Sequence, residues 1–166
     1  GFINKLKDQN LEQKNVLILG AGGVTASVIY ALLRKGIKKI FVSNRTIRKV
    51  ENIKERFPSV TVVKWENIEI KAKDVDIIIN TTSLGLKDGS DFTQEFKIIK
   101  SNLVYYDVVY NPKETTLIKK FKNKNVQTFN GLDMFVFQAQ KSFFLWNKIN
   151  PEIDKELEFK VTTKLK

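Results

Sequence analysis

The sequence predicts a doubly wound α/β fold, a parallel sheet with helices on both faces. Three observations predict it. Short runs of continuous apolar residues alternate with helical segments along the chain, and a glycine-rich turn joins the first such run to the first helix. None of the apolar runs shows the apolar/polar alternation of a sheet with one wet face. At 166 residues the chain has the length of one ordinary domain, about 100–200 residues.

Taken in order, residues 1–14 are polar and patchy and are expected to form an interdomain helix or linker. Asn15-Val16-Leu17-Ile18-Leu19 is bounded by polar residues and glycine, as a fully buried parallel strand should be. A helix is expected from Gly23 to Lys35, with Val24, Val28, Ala31 and Leu32 recurring on one face and Gly36 at its C-cap. Lys39 to Ser43 reads as the second strand, and Ile47 to Phe57 as a second helix ended by Pro58. Val60–Lys64, Val75–Asn80 and Leu103–Val109 are three further strands. A short helix at Glu114–Phe121 and a last strand at Asn125–Phe129 complete a core spanning 15–130. After Gly131 a long helix runs to about Asn147, and Pro151 opens a final one, so residues 131–166 are expected to be helices packing on the core.

Composition narrows the chemistry. Cysteine and histidine are both absent, which removes disulfides, thiolate nucleophiles, Cys- or His-ligated metals and any catalytic triad built on His. The formal charge of +11 invites a nucleic-acid partner. However, 25 of the 29 basic residues are Lys, they are spread along the chain, and Asn (14) and Ile (17) are also heavily used. That is the signature of an AT-rich coding sequence, so no nucleic-acid partner is expected. No stretch approaches the ~20 apolar residues of a membrane span and the N-terminus lacks a signal-peptide core, so a cytoplasmic location is expected.

The glycine turn Gly20-Ala21-Gly22-Gly23-Val24-Thr25 stands directly after a strand and directly before a helix, the context in which such a pattern acquires meaning. Gly20 permits the tight turn and Gly22 lets the backbone approach a pyrophosphate, which then meets the helix N-terminus. Thr25 occupies a sixth position usually held by Gly or Ala, which predicts a looser helix–strand contact. The second strand ends Ser43-Asn44-Arg45-Thr46, with Arg48 and Lys49 beyond and no carboxylate before Glu51. An acidic residue there would select a free ribose hydroxyl, whereas Arg accommodates a 2′-phosphate, so NADP is the expected cofactor.

Gly20–Val24, Asn44-Arg45-Thr46, Asn80–Gly85, Tyr106–Pro112 and the run Asn130–Ala139, five motifs in order, resemble the shikimate dehydrogenases. That resemblance implies NADP-dependent interconversion of 3-dehydroshikimate and shikimate. It implies that Asn44, Arg45, Thr46 and Lys49 hold the 2′-phosphate and that Thr81, Thr82 and Ser83 lie beside the cofactor. Val108, Gly131 and Met134 would contact the nicotinamide end, and Tyr110 and Gln138 would reach the substrate. The family also has an N-terminal substrate domain carrying a catalytic Lys and Asp. No segment here matches it, and Lys87 and Asp107 do not match those positions. Gly1-Phe2 resembles the start of the cofactor half at the domain junction, so the chain is expected to act with a missing substrate domain. Two alternatives stay open: a free-standing NADP-binding module without turnover, and a cofactor domain like that of glutamyl-tRNA reductase, which shares the glycine turn and the Asn-Arg-Thr triplet.

Overall fold

The computed structural model describes residues 2–6, 10–86 and 89–164. Among these residues six parallel strands form one sheet: β1 (Asn15–Leu19), β2 (Lys39–Ser43), β3 (Thr61–Val62), β4 (Ile77–Asn80), β5 (Val104–Asp107) and β6 (Gln127–Phe129). Their order is β3-β2-β1-β4-β5-β6, so the chain winds outward from β1 in one direction and then from β4 in the other. Register follows the pleat. Val16 and Ile18 of β1, Ile77 and Ile79 of β4, and Val104 and Tyr106 of β5 enter one apolar core. Leu17, Leu19, Ile78 and Tyr105 enter the other. Because both faces are covered, every residue of β4 and β5 is buried, which is why these strands read as continuous apolar runs.

The first core packs under α1 (Phe2–Lys5), α2 (Gly23–Leu33) and α3 (Ile47–Arg56), through Phe2, Val28, Ile29, Leu32, Val50 and Ile53. The second packs under α4 (Ile68–Ala72) and α5 (Thr116–Lys122), through Ile68, Ala72, Leu117, Ile118 and Phe121. Between β4 and β5 the crossover carries no helix among its described residues. Phe92 and Phe96 fill that face instead, and the Glu69 carboxylate accepts the Glu95 and Phe96 amides at 3.1 and 2.6 Å.

Several boundaries differ from those expected. The third strand shortens to Thr61–Val62, since it pairs only with β2 before a 3₁₀ turn begins at Trp65. Helix α4 was not anticipated, because five residues are too few to show a period. Helix α5 starts at Thr116, where the Thr115 hydroxyl accepts the Ile118 amide. The final helix, α7 (Lys155–Lys164), does not start at Pro151. The Asp154 carboxylate accepts the Leu157 amide at 2.7 Å and marks its beginning. Helix α6 (Leu132–Asn147) has no buried residue. Met134 packs partly against the first core, while Phe135, Phe143 and Leu157 line an apolar groove of about 270 Å³ between α6 and α7. Among the described residues no helix is long and apolar enough to cross a membrane.

Candidate functional site

Strands β1 and β4 lie side by side, but the segments that follow them leave for opposite faces of the sheet: α2 joins the first core and Leu84 the second. Open α/β sheets bind ligands at the crevice this divergence opens. Gly20 sits at its rim with φ +120°, a conformation an L side chain rarely adopts. A Cβ there would lie 2.5 Å from Thr81 Oγ1 and 2.9 Å from the Thr81 carbonyl carbon, so glycine alone lets the two strand ends meet. At Gly22 and Gly23 a Cβ would meet nothing within 4 Å, leaving the face of the turn open to a ligand.

Two cavities flank this seam. One, about 260 Å³, is lined by Gly20, Ala21, Gly22, Asn44, Arg45, Thr46, Lys49 and Trp65, and also by Thr81, Thr82 and Ser83. The other, about 900 Å³, shares Thr81–Ser83 and continues over Val24, Leu86, Ser90, Val108, Val109, Tyr110 and Asn111. The first is polar and basic, and its Arg45 and Lys49 form no ion pair with any described carboxylate. The second has apolar walls bearing hydroxyls, and among its described lining residues there is no Lys, Asp or Glu. The two adjoin at Thr81–Ser83 as a trough, with cationic side chains at one end and a roomier, apolar-walled cleft at the other.

A buried polar network shapes the shared floor. The Asp107 carboxylate, fully buried at the end of β5, accepts four hydrogen bonds. Asn80 Nδ2 (3.0 Å) and the Val109 amide (3.0 Å) donate to Oδ1, and the Tyr105 (2.8 Å) and Thr115 (2.8 Å) hydroxyls donate to Oδ2. Burial pushes its pKa above the ordinary aspartate value, although all four bonds pull the other way. Asn80 Oδ1 in turn accepts from the Thr82 amide and hydroxyl, at 2.9 and 2.7 Å. Asp107 is thus a structural hub with every acceptor position engaged, consistent with its not matching a catalytic position.

Ten of the residues expected at the cofactor site line the basic cavity, and Val24, Val108 and Tyr110 line the larger one. Gly23 begins α2 between the two. Gly131, Met134 and Gln138 line neither. A Cβ at Gly131 would lie 2.0 Å from the Val108 carbonyl oxygen, so glycine lets α6 start against the backbone of the cleft wall. Met134 packs on the core and Gln138 is exposed on α6. Tyr110 stacks on Phe135 with ring centroids 4.5 Å apart. Lys87 lies outside the described residues. Sequence reasoning missed Trp65, whose ring walls the basic cavity and stacks on Phe92 at 6.0 Å. Its rarity, one of two tryptophans, was the only signal.

The pattern of the Shikimate / quinate 5-dehydrogenase family matches residues 3–132. This chain belongs to that family. It is 46% identical over 150 residues to the shikimate dehydrogenase (NADP(+)) of Pelagibacter ubique, covering 90% of this chain and 55% of that one. The crystal structure of shikimate dehydrogenase from Aquifex aeolicus superposes with a TM-score of 0.77 at 37% identity, covering 91% of this chain and 55% of the other. The Thermus thermophilus shikimate 5-dehydrogenase, solved with NADP(H) and shikimate, gives a TM-score of 0.75 at 28% identity, over 91% and 56% of the two chains. The chain spans about half the length of the curated relatives it matches. The family match ends at residue 132, so Met134 and Gln138 lie beyond it.

Proposed function

We propose that this chain is the NADP-binding half of a shikimate dehydrogenase that reduces 3-dehydroshikimate to shikimate, a step of aromatic amino acid (chorismate) biosynthesis. The observation that carries this reading is the trough itself, in which Arg45 and Lys49, without an ion-pair partner among the described residues, share a cavity with the glycine turn and abut the ring-sized cleft through Thr81–Ser83. Arg45, Lys49, Asn44 and Thr46 hold a 2′-phosphate, Arg by bidentate, charge-assisted hydrogen bonds. The turn from Gly20 to Val24 and the first amides of α2 hold the pyrophosphate. Val108, Gly131 and Met134 position the nicotinamide, and Tyr110 and Gln138 meet the substrate, Gln138 only once the rest of the enzyme closes over α6. When bound, NADPH supplies the hydride.

A second reading, an NADP-binding module without turnover of its own, is favoured by one observation. The described lining of the larger cleft offers no Lys, Asp or Glu to hand a proton to the substrate oxygen. That group is expected on the part of the relatives that this chain does not match. The exposed apolar residues of α6, with Phe137, Leu145 and the 80% exposed Trp146 among them, support a covering partner of that kind.

Calorimetric titration of the chain with NADPH and NADH tests the cofactor assignment. NADPH is expected to bind more than ~10-fold tighter, the difference made by one charge-assisted contact of about 1.5–3 kcal/mol. Arg45→Asp should weaken NADPH by about 1–3 kcal/mol and leave NADH nearly unchanged. Equal affinities for the two cofactors in the unmodified chain would overturn the reading.

A further inference from the structure

We infer that Thr25 is a positioning residue for the cofactor, joining the glycine turn to the 81–83 turn through a chain of hydroxyls; this rests on reading the trough as an NADP site. Thr25 is fully buried and Thr81 nearly so. The Gly22 amide donates to Thr25 Oγ1 at 3.1 Å, the two threonine oxygens lie 2.9 Å apart, and Thr81 Oγ1 donates to the Leu19 carbonyl at 3.0 Å.

A hydroxyl has one proton, so the direction of the chain is determined. Thr81 gives its proton to Leu19 and must therefore accept from Thr25. Thr25 in turn accepts from Gly22. The sequence of donors is Gly22 N–H to Thr25 to Thr81 to the Leu19 carbonyl, with no buried donor left over.

Two consequences follow for the ligand. The Gly22 amide is consumed inside the protein, so phosphate must be met by the amides of Gly23 and Val24, the first two of α2, which have no partner within the helix. Second, the distance between the basic cavity and the ring-sized cleft is set at Thr81, which lines both. Thr81 Oγ1 also occupies the space a Gly20 Cβ would need, 2.5 Å away, so the seam is closed by shape as well as by hydrogen bonds. The sixth position of the glycine turn is therefore tied to the next loop rather than loosened, contrary to the expectation from its bulk.

The test compares Thr25→Val, which keeps the shape and loses the hydroxyl, with Thr25→Ser, which keeps the hydroxyl. Two probes are titrated: NADPH, which spans both cavities, and adenosine 2′,5′-bisphosphate, which reaches only the basic one. Thr25→Val is expected to weaken NADPH about tenfold, the scale of one net hydrogen bond. The bisphosphate should change by less than about threefold, and Thr25→Ser should match the unmodified chain with both probes. Amide hydrogen exchange in the unmodified chain provides a measurement that needs no variant, with Gly22 expected to exchange more slowly than Gly23. Unchanged NADPH affinity in Thr25→Val, an equal loss on both probes, or Gly22 exchanging as fast as Gly23 would each overturn the inference. If Thr25→Val fails to fold, the exchange rates and the serine variant decide. Failure of the unmodified chain to bind either probe overturns the cofactor reading instead, and is recognisable because Gly22 remains protected.

Discussion

Asp107 holds the ends of β4 and β5 and the turn after β5 together beside the candidate site. Four donors converge on its carboxylate, and truncation would leave the Val109 amide and the Tyr105 and Thr115 hydroxyls buried without an acceptor, while Asn80 Nδ2 keeps the Leu84 carbonyl. Asp107→Ala is expected to destabilise the chain by about 3 kcal/mol or more, at roughly 1–3 kcal/mol for each stranded group. Asp107→Asn should cost far less. Its remaining oxygen can serve Asn80 and Val109, while the Tyr105 and Thr115 hydroxyls rotate to accept from the new amide. Urea unfolding of the two variants measures the difference, and equal losses would show that the charge, not the geometry, matters. Because burial raises this carboxyl, the fold binds its proton more tightly than the unfolded chain does. Its contribution therefore favours the fold at low pH and declines as pH rises past the ordinary aspartate value.

At the level of elements, the opposite ends of the central strands carry a staple with the opposite pH sign. Asp76, just before β4, accepts the Asn15 amide at the start of β1 (2.8 Å) and the Lys100 ammonium ahead of β5 (2.8 Å). Burial alone would raise its pKa, but the Asn15 amide, the Lys100 bond and charge, and Lys14 together hold it below the ordinary 3.8. A depressed carboxyl stabilises the fold above its unfolded pKa and loses that contribution as pH falls through the folded value. Asp76→Asn should therefore cost about 1 kcal/mol at neutral pH, a modest figure because Lys100 is partly exposed. It should cost nothing once both states are protonated, so acid titration of stability is expected to show a shallower loss below about pH 4. An unchanged acid limb would mean that the three strands are not held together by this charge.

For the whole molecule, the larger cleft has no Lys, Asp or Glu among its described lining residues, and α6 exposes Phe137, Leu145 and Trp146. Hydride transfer requires cofactor and substrate in near-attack geometry together with a proton at the substrate oxygen, and under the proposed reading this chain supplies a cofactor wall and few substrate contacts. The purified chain is accordingly expected to bind NADPH yet show no shikimate-dependent reduction of NADP⁺. Adding, as a separate polypeptide, the part of a relative that this chain does not match should give turnover and shift Trp146 fluorescence to the blue as α6 is covered. Robust turnover by the chain alone would show that its own residues complete the site.

Much of this protein was legible in the linear sequence, because strand composition, turn chemistry and helix period are local properties. The buried strands announced themselves as continuous apolar runs, and the glycine turn and the basic Asn44–Lys49 segment, both legible as motifs, line one cavity. What remained hidden depends on which strands become neighbours. Thr25 and Thr81 are 56 residues apart, and Asn80 and Asp107 are 27 apart. Their hydrogen bonds exist only because β4 lies beside β1 and pairs Asn80 with Asp107 across β5. Five-residue α4 was too short to carry a period, and the exposure of α6 could not be told from its apolar composition, which suits a helix against a core equally well. Composition and spacing determined the kind of sheet and the basic character of the segment after its second strand. Strand order and register, set by long-range packing, decided which polar groups meet at the seam of the trough.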